Sequence, residues 1–480
     1  MSQIHELSAT GLAAEIRNRT VSSREALDHL LERVDRLDGP INSVVTLGID
    51  RAREEADAAD RALLGGADLG PLHGVPMSVK DSFATEGMRT TSGAPELSGH
   101  VPDEDAWPVA AMRRGGAIVY GKTNLPIYAG DLQTYNEVFG VTNNPYDRTR
   151  TPGGSSGGSG AALAARFTPL EIGSDIGGSI RLPAHMSGVL GHKPSYGIVP
   201  AHGQIPGPPG SLTLADLAVA GPMARTIEDL RVGLDLMAGP NRWDGPAWRL
   251  ELPPSRQTEI GEFRIATWFD DESYPIEAES KRLLESAAAA LADGGARLDP
   301  DARPAFTLDK AVDTFSTLLQ AALSGGHRVE QLDEWAQLGG EDPIDDLRRR
   351  RSIRHRQWLG ANERRLQMRK RFEEFFEDWD VLLLPVMPTP AITHDHTEPQ
   401  AARSAQLDGR DVPYLDLTAW MAPAGVCWLP ATVVPIGMTE AGLPVGVQIV
   451  APFLSDLTSL RLGEILVEFL GELPTPSGFE

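Results

Sequence analysis

The 480-residue chain has a single cysteine, Cys427. It can close no intrachain disulfide, which fits a reducing compartment. Basic residues are scarce: 44 Lys and Arg stand against 67 Asp and Glu, a formal net charge of −23. That excludes a broad positive field, and with it nonspecific attraction to nucleic acid or to an anionic membrane. No apolar run reaches the roughly 18 residues needed to span a bilayer. The N-terminus, Met-Ser-Gln-Ile-His-Glu-Leu, has no basic stretch followed by an apolar one, so no secretory signal is expected. The expectation is a cytoplasmic protein without membrane or nucleic-acid partner. The basic run from Arg348 to Arg351 reads as a solvated helix face.

Glycine and proline are plentiful, and residues 70–240 are dense in both. The flanking regions read as more regular. Residues 8–37 predict two helices, the second opened by a capping box, Ser22 with Glu25. A short strand is expected at 43–46 and an Ala-rich helix at 51–64, stopped by Gly65 and Gly66. Runs at 117–120 and 170–173 look like buried strand ends. Residues 263–268 predict a strand and 276–291 a helix closed by Gly294 and Gly295, a βαβ start. Residues 308–378 read as helical, 381–384 as a strand, and 389–412 as a polar surface loop. A buried strand at 443–450 and a helix near 455–470 close the chain. The alternation implies an α/β class. N-terminal helices fill about 1–65, a Gly/Ser-rich core about 70–240, and a helical insertion about 270–380.

Within the core, residues 153–160 read Gly-Gly-Ser-Ser-Gly-Gly-Ser-Gly and 173–182 read Gly-Ser-Asp-Ile-Gly-Gly-Ser-Ile-Arg-Leu. Ser155 and Ser179 stand among glycines 24 residues apart. Glycine beside a reactive serine lets backbone N–H groups approach a ligand. Such runs are often flexible linkers, but here an apolar helix-like 161–165 follows directly. Upstream, Lys80 ends an apolar run. Alone it fits a snorkelling surface lysine as well as a buried amine with a lowered pKa. A neutral amine, a hydroxyl relay and a serine nucleophile together suggest acyl transfer without histidine.

These residues resemble the amidase signature family, along with stretches 74–80, 121–124, 140–145, 221–226 and 442–448. The resemblance covers nearly the whole chain. It implies a single α/β/α domain around a mixed central β-sheet, no cofactor and no metal. It implies cleavage of amide C–N bonds, with esters and carbamates or urethanes as further substrates. Ser179 matches the nucleophile, Ser155 the bridging serine after a cis peptide bond, and Lys80 the general base. The N–H groups of Ile176, Gly177, Gly178 and Ser179 match the oxyanion hole. Ser156, Asp175 and Arg181 are expected to hold this loop. Tyr135, Asn136, Gly207 in the 205–210 loop, and Trp428 are substrate-pocket candidates, although Tyr135 fits the core equally well. Ile127, where family members often carry Glu, and the unusual stretch 421–430 hint at an apolar acyl pocket. A homodimer is left open.

Other readings compete. Gly153-x-Ser155-x-Gly157 formally matches a nucleophile elbow, which would make the chain a Ser-His-Asp esterase with Asp395 and His396 as partners. An elbow needs a preceding strand, and 145–152 look like loop. No Gly-Lys-Ser/Thr closes the glycine run, so a phosphate loop is excluded. His394 and His396 lack a third ligand in view, and no metal is assigned. The family also includes the glutamine-hydrolysing subunit of a tRNA-dependent amidotransferase, which works with a partner. The two departures argue against that role.

Overall fold

A computed structural model describes residues 4–66, 69–205 and 207–480. The N-terminal helices run Ala9–Arg17, Ser23–Leu37 and Ile49–Leu64. Ser22 Oγ accepts from Glu25 N at 3.1 Å, and the Glu25 carboxylate accepts from Ser22 N at 2.8 Å, closing the predicted capping box. Ala26, Leu27, Leu30, Leu31 and Val34 form the buried stripe of the second helix.

A small sheet joins β1 (Val44–Leu47), β2 (Pro76–Lys80) and β3 (Ile118–Thr123) in the order β1-β3-β2, with β2 parallel to β3. β4 (Tyr135–Asn136) and β5 (Gly140–Val141) form a short ribbon. The central sheet uses β6 (Leu170–Asp175), β7 (Leu190–Lys193), β8 (Val219–Ala224), β9 (Arg264–Thr267), β10 (Arg297–Asp299) and β11 (Val381–Pro385). After a hairpin of β12 (Ser404–Leu407) and β13 (Arg410–Pro413), it is completed by β14 (Ala431–Met438) and β15 (Pro444–Val450). Its order is β10-β9-β11-β15-β14-β7-β8-β6. The pairs β10–β9 and β9–β11 are parallel and the others antiparallel, so the sheet is mixed.

Both faces are covered, as the period of two along β11 shows. Val381 and Leu383 join one apolar cluster with helices Ile227–Met237, Ala278–Asp293 and Asp456–Leu470. Leu382 and Leu384 join another with helices Leu308–Ala322 and His355–Asp378. The result is the expected single α/β/α domain. No helix among the described residues is long and apolar enough to cross a membrane.

Two expectations are corrected. The helical stretch 308–378 is broken into Leu308–Ala322, Val329–Trp335, Pro343–Arg351 and His355–Asp378. Glycine pairs at 325–326 and 339–340 interrupt it. Asp342 Oδ1 then caps a new start, accepting from Ile344 N at 2.9 Å and Asp345 N at 3.1 Å. The polar segment 389–412 is not all loop, since it contains β12 and most of β13. Its turn is Asp408-Gly409, both at positive φ (49° and 77°), which suits a two-residue hairpin.

Candidate active site

The C-terminal ends of β2 and β6 meet the start of helix Gly157–Ala164, and the candidate residues gather there. All eight residues of that helix are buried, so the glycine-serine run is core and not a linker. β2 ends on Lys80, whose side chain is fully buried. Its Nζ lies 2.6 Å from Ser155 Oγ, 2.9 Å from Ser156 Oγ and 2.9 Å from Ser174 Oγ. Burial pushes the Lys80 ammonium down to about 7, although Asp175 and Glu171 pull the other way. The Gly154–Ser155 peptide bond is cis. Glu171, also buried, accepts from Ser78 Oγ, and burial lifts its carboxyl to about 7.

Ser179 sits on the turn after β6. Its carbonyl accepts from Ser156 N at 3.1 Å, which ties the two serine loops together. Its Oγ makes no hydrogen bond among the described residues, and the residue is 8 % exposed. Asp175 shapes this turn. Its Oδ1 accepts from Gly178 N at 2.9 Å and Oδ2 from Ile180 N at 3.2 Å. Arg181 grips the same carboxylate through Nη2 at 2.9 Å and Nε at 3.0 Å. Burial alone would raise the Asp175 carboxyl, but the Arg181 charge and hydrogen bonds outweigh it and hold the group at about 2. Gly178 N–H is thus committed, whereas those of Ile176, Gly177 and Ser179 donate to no group among the described residues. Gly178 has φ of 110°, and a Cβ there would overlap Met421 Sδ. Only glycine fits both conditions.

The remaining candidates are engaged with partners outside this centre. Tyr135 is half-buried: its hydroxyl donates to Asp131 Oδ2 at 2.9 Å, accepts from Arg403 Nη2 at 2.8 Å, and its ring stacks on His396 at 3.8 Å. Asn136 is spent on internal hydrogen bonds. Its Oδ1 accepts from Val138 N at 2.9 Å and Phe139 N at 2.7 Å, and its Nδ2 donates to Asn124 Oδ1 at 2.7 Å and Leu125 O at 2.8 Å. In the 205–210 loop, Pro206 lies outside the described residues. Gly207 is half-exposed, 3.0 Å from Ser211 Cβ as measured from an ideal Cβ. Trp428 faces another way. Its Nε1 donates to Asp216 O at 2.7 Å, and Arg365 and Arg369 stand 4.4 and 4.5 Å from its ring. With Arg369, Phe372 and Phe453 it lines a groove of about 790 Å³ that contains none of Lys80, Ser155 and Ser179.

A family model described as Amidase matches residues 25–460. This chain belongs to the amidase signature family. The glutamyl-tRNA(Gln) amidotransferase A-subunit of Roseiflexus sp. is 30 % identical, across 97 % of this chain and 96 % of its own. That of Acidothermus cellulolyticus is 32 % identical, across 97 % and 95 %. Among solved structures, a 6-aminohexanoate cyclic dimer hydrolase complexed with substrate superposes with a TM-score of 0.80 at 27 % identity, covering 99 % of this chain and 100 % of that one. A bacterial aryl acylamidase of the amidase signature family superposes at 0.81 with 24 % identity, covering 97 % and 96 %, which speaks for the fold alone.

Several residues around this candidate site escaped the sequence reading. Ser174 had a signal, since it lies inside the quoted 173–182 motif. The Asp131–Arg403 pair had none: Arg403 Nη1 lies 2.7 Å from Asp131 Oδ2 across 272 residues of sequence, both side chains nearly sealed from solvent. That pair holds the 131–133 backbone, on which Gly154 rests so closely that a Cβ would stand 2.6 Å from Asp131 O. The elbow alternative fails on two observations. Residues 145–152 form no strand, and no histidine hydrogen-bonds to Ser155 or Ser179 among the described residues. Asp395 Oδ1 accepts from Thr397 N at 3.0 Å. No three His, Cys, Asp or Glu side chains are grouped to hold a metal ion among the described residues.

Proposed function

We propose that this chain hydrolyses carboxylic amide C–N bonds, and by the same route esters and carbamates, through an acyl-enzyme on Ser179. The supporting observation is the fully buried Lys80 amine 2.6 Å from Ser155 Oγ. Neutral Lys80 accepts the Ser155 proton as Ser155 Oγ accepts that of Ser179. Ser179 Oγ bonds to the substrate carbonyl carbon, and the carbonyl electron pair moves onto oxygen. The N–H groups of Ile176, Gly177 and Ser179 stabilise that oxyanion, each donor worth about 10²–10³-fold in rate. Collapse breaks the C–N bond, and the proton returns from Lys80 through Ser155 to the leaving nitrogen. Water then repeats the sequence in reverse and frees the acid. Ser156 and Ser174 accept hydrogen bonds from Lys80, which turns the remaining lone pair of the neutral amine toward Ser155.

A second reading is favoured by the amidotransferase relatives, which match at 30–32 % identity over nearly the whole chain. In that case the chain would hydrolyse glutamine for a tRNA-binding partner. Purified alone and given a panel of aliphatic amides, aryl amides, esters and glutamine, the chain is expected to turn over simple amides without a partner. Activity that appears only on glutamine, and only with an added partner complex, would transfer the case to the second reading.

A further inference from the structure

The turn that carries Ser179 runs along a hydrocarbon wall. A Cβ built on Gly177 would stand 3.7 Å from Phe315 Cζ and 3.9 Å from Leu319 Cδ2. One on Gly425 would stand 3.3 Å from Phe315 Cε2. Met421 Sδ closes on Gly178 from the other side. Phe315 and Leu319 are one turn apart on helix Leu308–Ala322, so their side chains cover the same spot. Ile176, Leu217, Ala424 and Trp420 belong to the same apolar cluster. Arg181 borders this wall: its Nη2 would stand 3.8 Å from a Gly425 Cβ. Four of its five N–H groups are committed, two to Asp175, one to Met421 O at 3.0 Å and one to Gln448 Oε1 at 3.1 Å, and its side chain is sealed from solvent.

The geometry points to an acyl pocket, formed by Phe315, Leu319 and Met421, that takes an uncharged hydrocarbon acyl group and refuses the charged acyl group of a free amino acid. This rests on the reading of Ser179 as nucleophile. A carbonyl oxygen held by the N–H groups of Ile176, Gly177 and Ser179 places its acyl substituent beside that wall. Methylenes then leave water for hydrocarbon, each step in a fitted pocket changing kcat/KM by about tenfold or more. An ammonium or carboxylate in the same place loses its hydration, and the Arg181 charge beside it is already neutralised by Asp175.

Two measurements test the pocket. The first is the ratio of kcat/KM for the hexanoyl and acetyl p-nitroanilides in the parent and in Leu319→Arg, a position only partly buried. The ratio is expected to fall about tenfold in the variant. An equal loss on both substrates, or faster cleavage of γ-glutamyl p-nitroanilide than of the hexanoyl compound by the parent, would overturn the proposal. The second reads binding without turnover, by calorimetry on Ser179→Ala. Hexananilide is expected to bind, about tenfold more weakly once Leu319→Arg is added, and glutamine not to bind. Tighter binding of glutamine than of hexananilide overturns the pocket. Hexananilide binding with no turnover by the parent leaves the pocket standing and sinks the nucleophile reading instead.

Discussion

Asp175 and Arg181 form a two-point ion pair sealed from solvent, and the same carboxylate takes Gly178 N–H at 2.9 Å. One group thus neutralises a buried guanidinium and sets the turn that presents Ser179. Removing the charge by Asp175→Asn strands Arg181, and breaking a buried pair costs about 3–5 kcal/mol. The variant is expected to melt well below the parent. The parent should also be the more acid-sensitive of the two. The Asp175 carboxyl is held at about 2 against an ordinary 3.8, so its contribution is complete above 3.8 and lost as pH falls through 2. Melting temperature against pH should therefore fall less steeply below pH 4 in Asp175→Asn than in the parent.

Gly178→Ala tests the close packing of the same turn. The added methyl overlaps Met421 Sδ, and the left-handed φ of 110° disfavours alanine besides. Overpacking of this kind costs roughly 1–3 kcal/mol. Displacement of the flanking N–H groups should cost about 10²-fold or more in kcat. Pairing it with Met421→Ala should recover part of the stability and less of the rate. Denaturant melts and steady-state kinetics on the single and double variants read the two effects separately.

The pH profile follows from Lys80. As the proposed base the amine would work only when neutral, and burial holds it down at about 7. Amide kcat/KM should therefore rise with pH through about 7 and level off above it. A profile that is flat from pH 5.5 to 9, or that falls with rising pH, would contradict a lysine base.

Arg403 offers a test at a distance. It touches neither serine, yet with Asp131 it holds the loop on which Gly154 rests. Arg403→Met leaves Asp131 buried with its charge uncompensated and is expected to destabilise by about 3–5 kcal/mol. In the fraction that remains folded, kcat should drop more than KM rises, because the Ser155 peptide shifts more than the Tyr135 ring, which Asp131 and His396 still hold. A KM effect alone would place Arg403 at the substrate instead.

The N-terminal helices, and β6, β9, β11 and β15 among the central strands, were legible because their apolar spacing is local: the stripe from Ala26 to Val34 and the run 381–384 need no tertiary information, whereas β7, β8, β10 and β14 lie in Gly- and Pro-containing or short segments and were not read. The β12–β13 hairpin was legible in principle through Asp408-Gly409, but its polar outer face, with only Ala405 and Leu407 turned inward along β12, hid it. In the site, Lys80, Ser155, Ser156, Asp175 and Arg181 sit in compact motifs, and the fold draws them together. Phe315 and Arg403 reach the site from distant segments and carry no local mark of it, whereas Met421 opens the stretch 421–430 that hinted at an apolar pocket. Trp428 misled for the same reason: it is close in sequence to Met421, but its positive φ of 64° turns it toward Arg365 and Arg369.

Active-site labelling reaches the centre of the account. A serine-directed fluorophosphonate is applied at pH 7.5 to the parent and to Lys80→Met, and the modified residue is mapped by mass spectrometry. The account predicts one adduct, on Ser179, forming in the parent and slowed by orders of magnitude in Lys80→Met. An adduct on Ser155, or equal labelling rates in the two proteins, would contradict it.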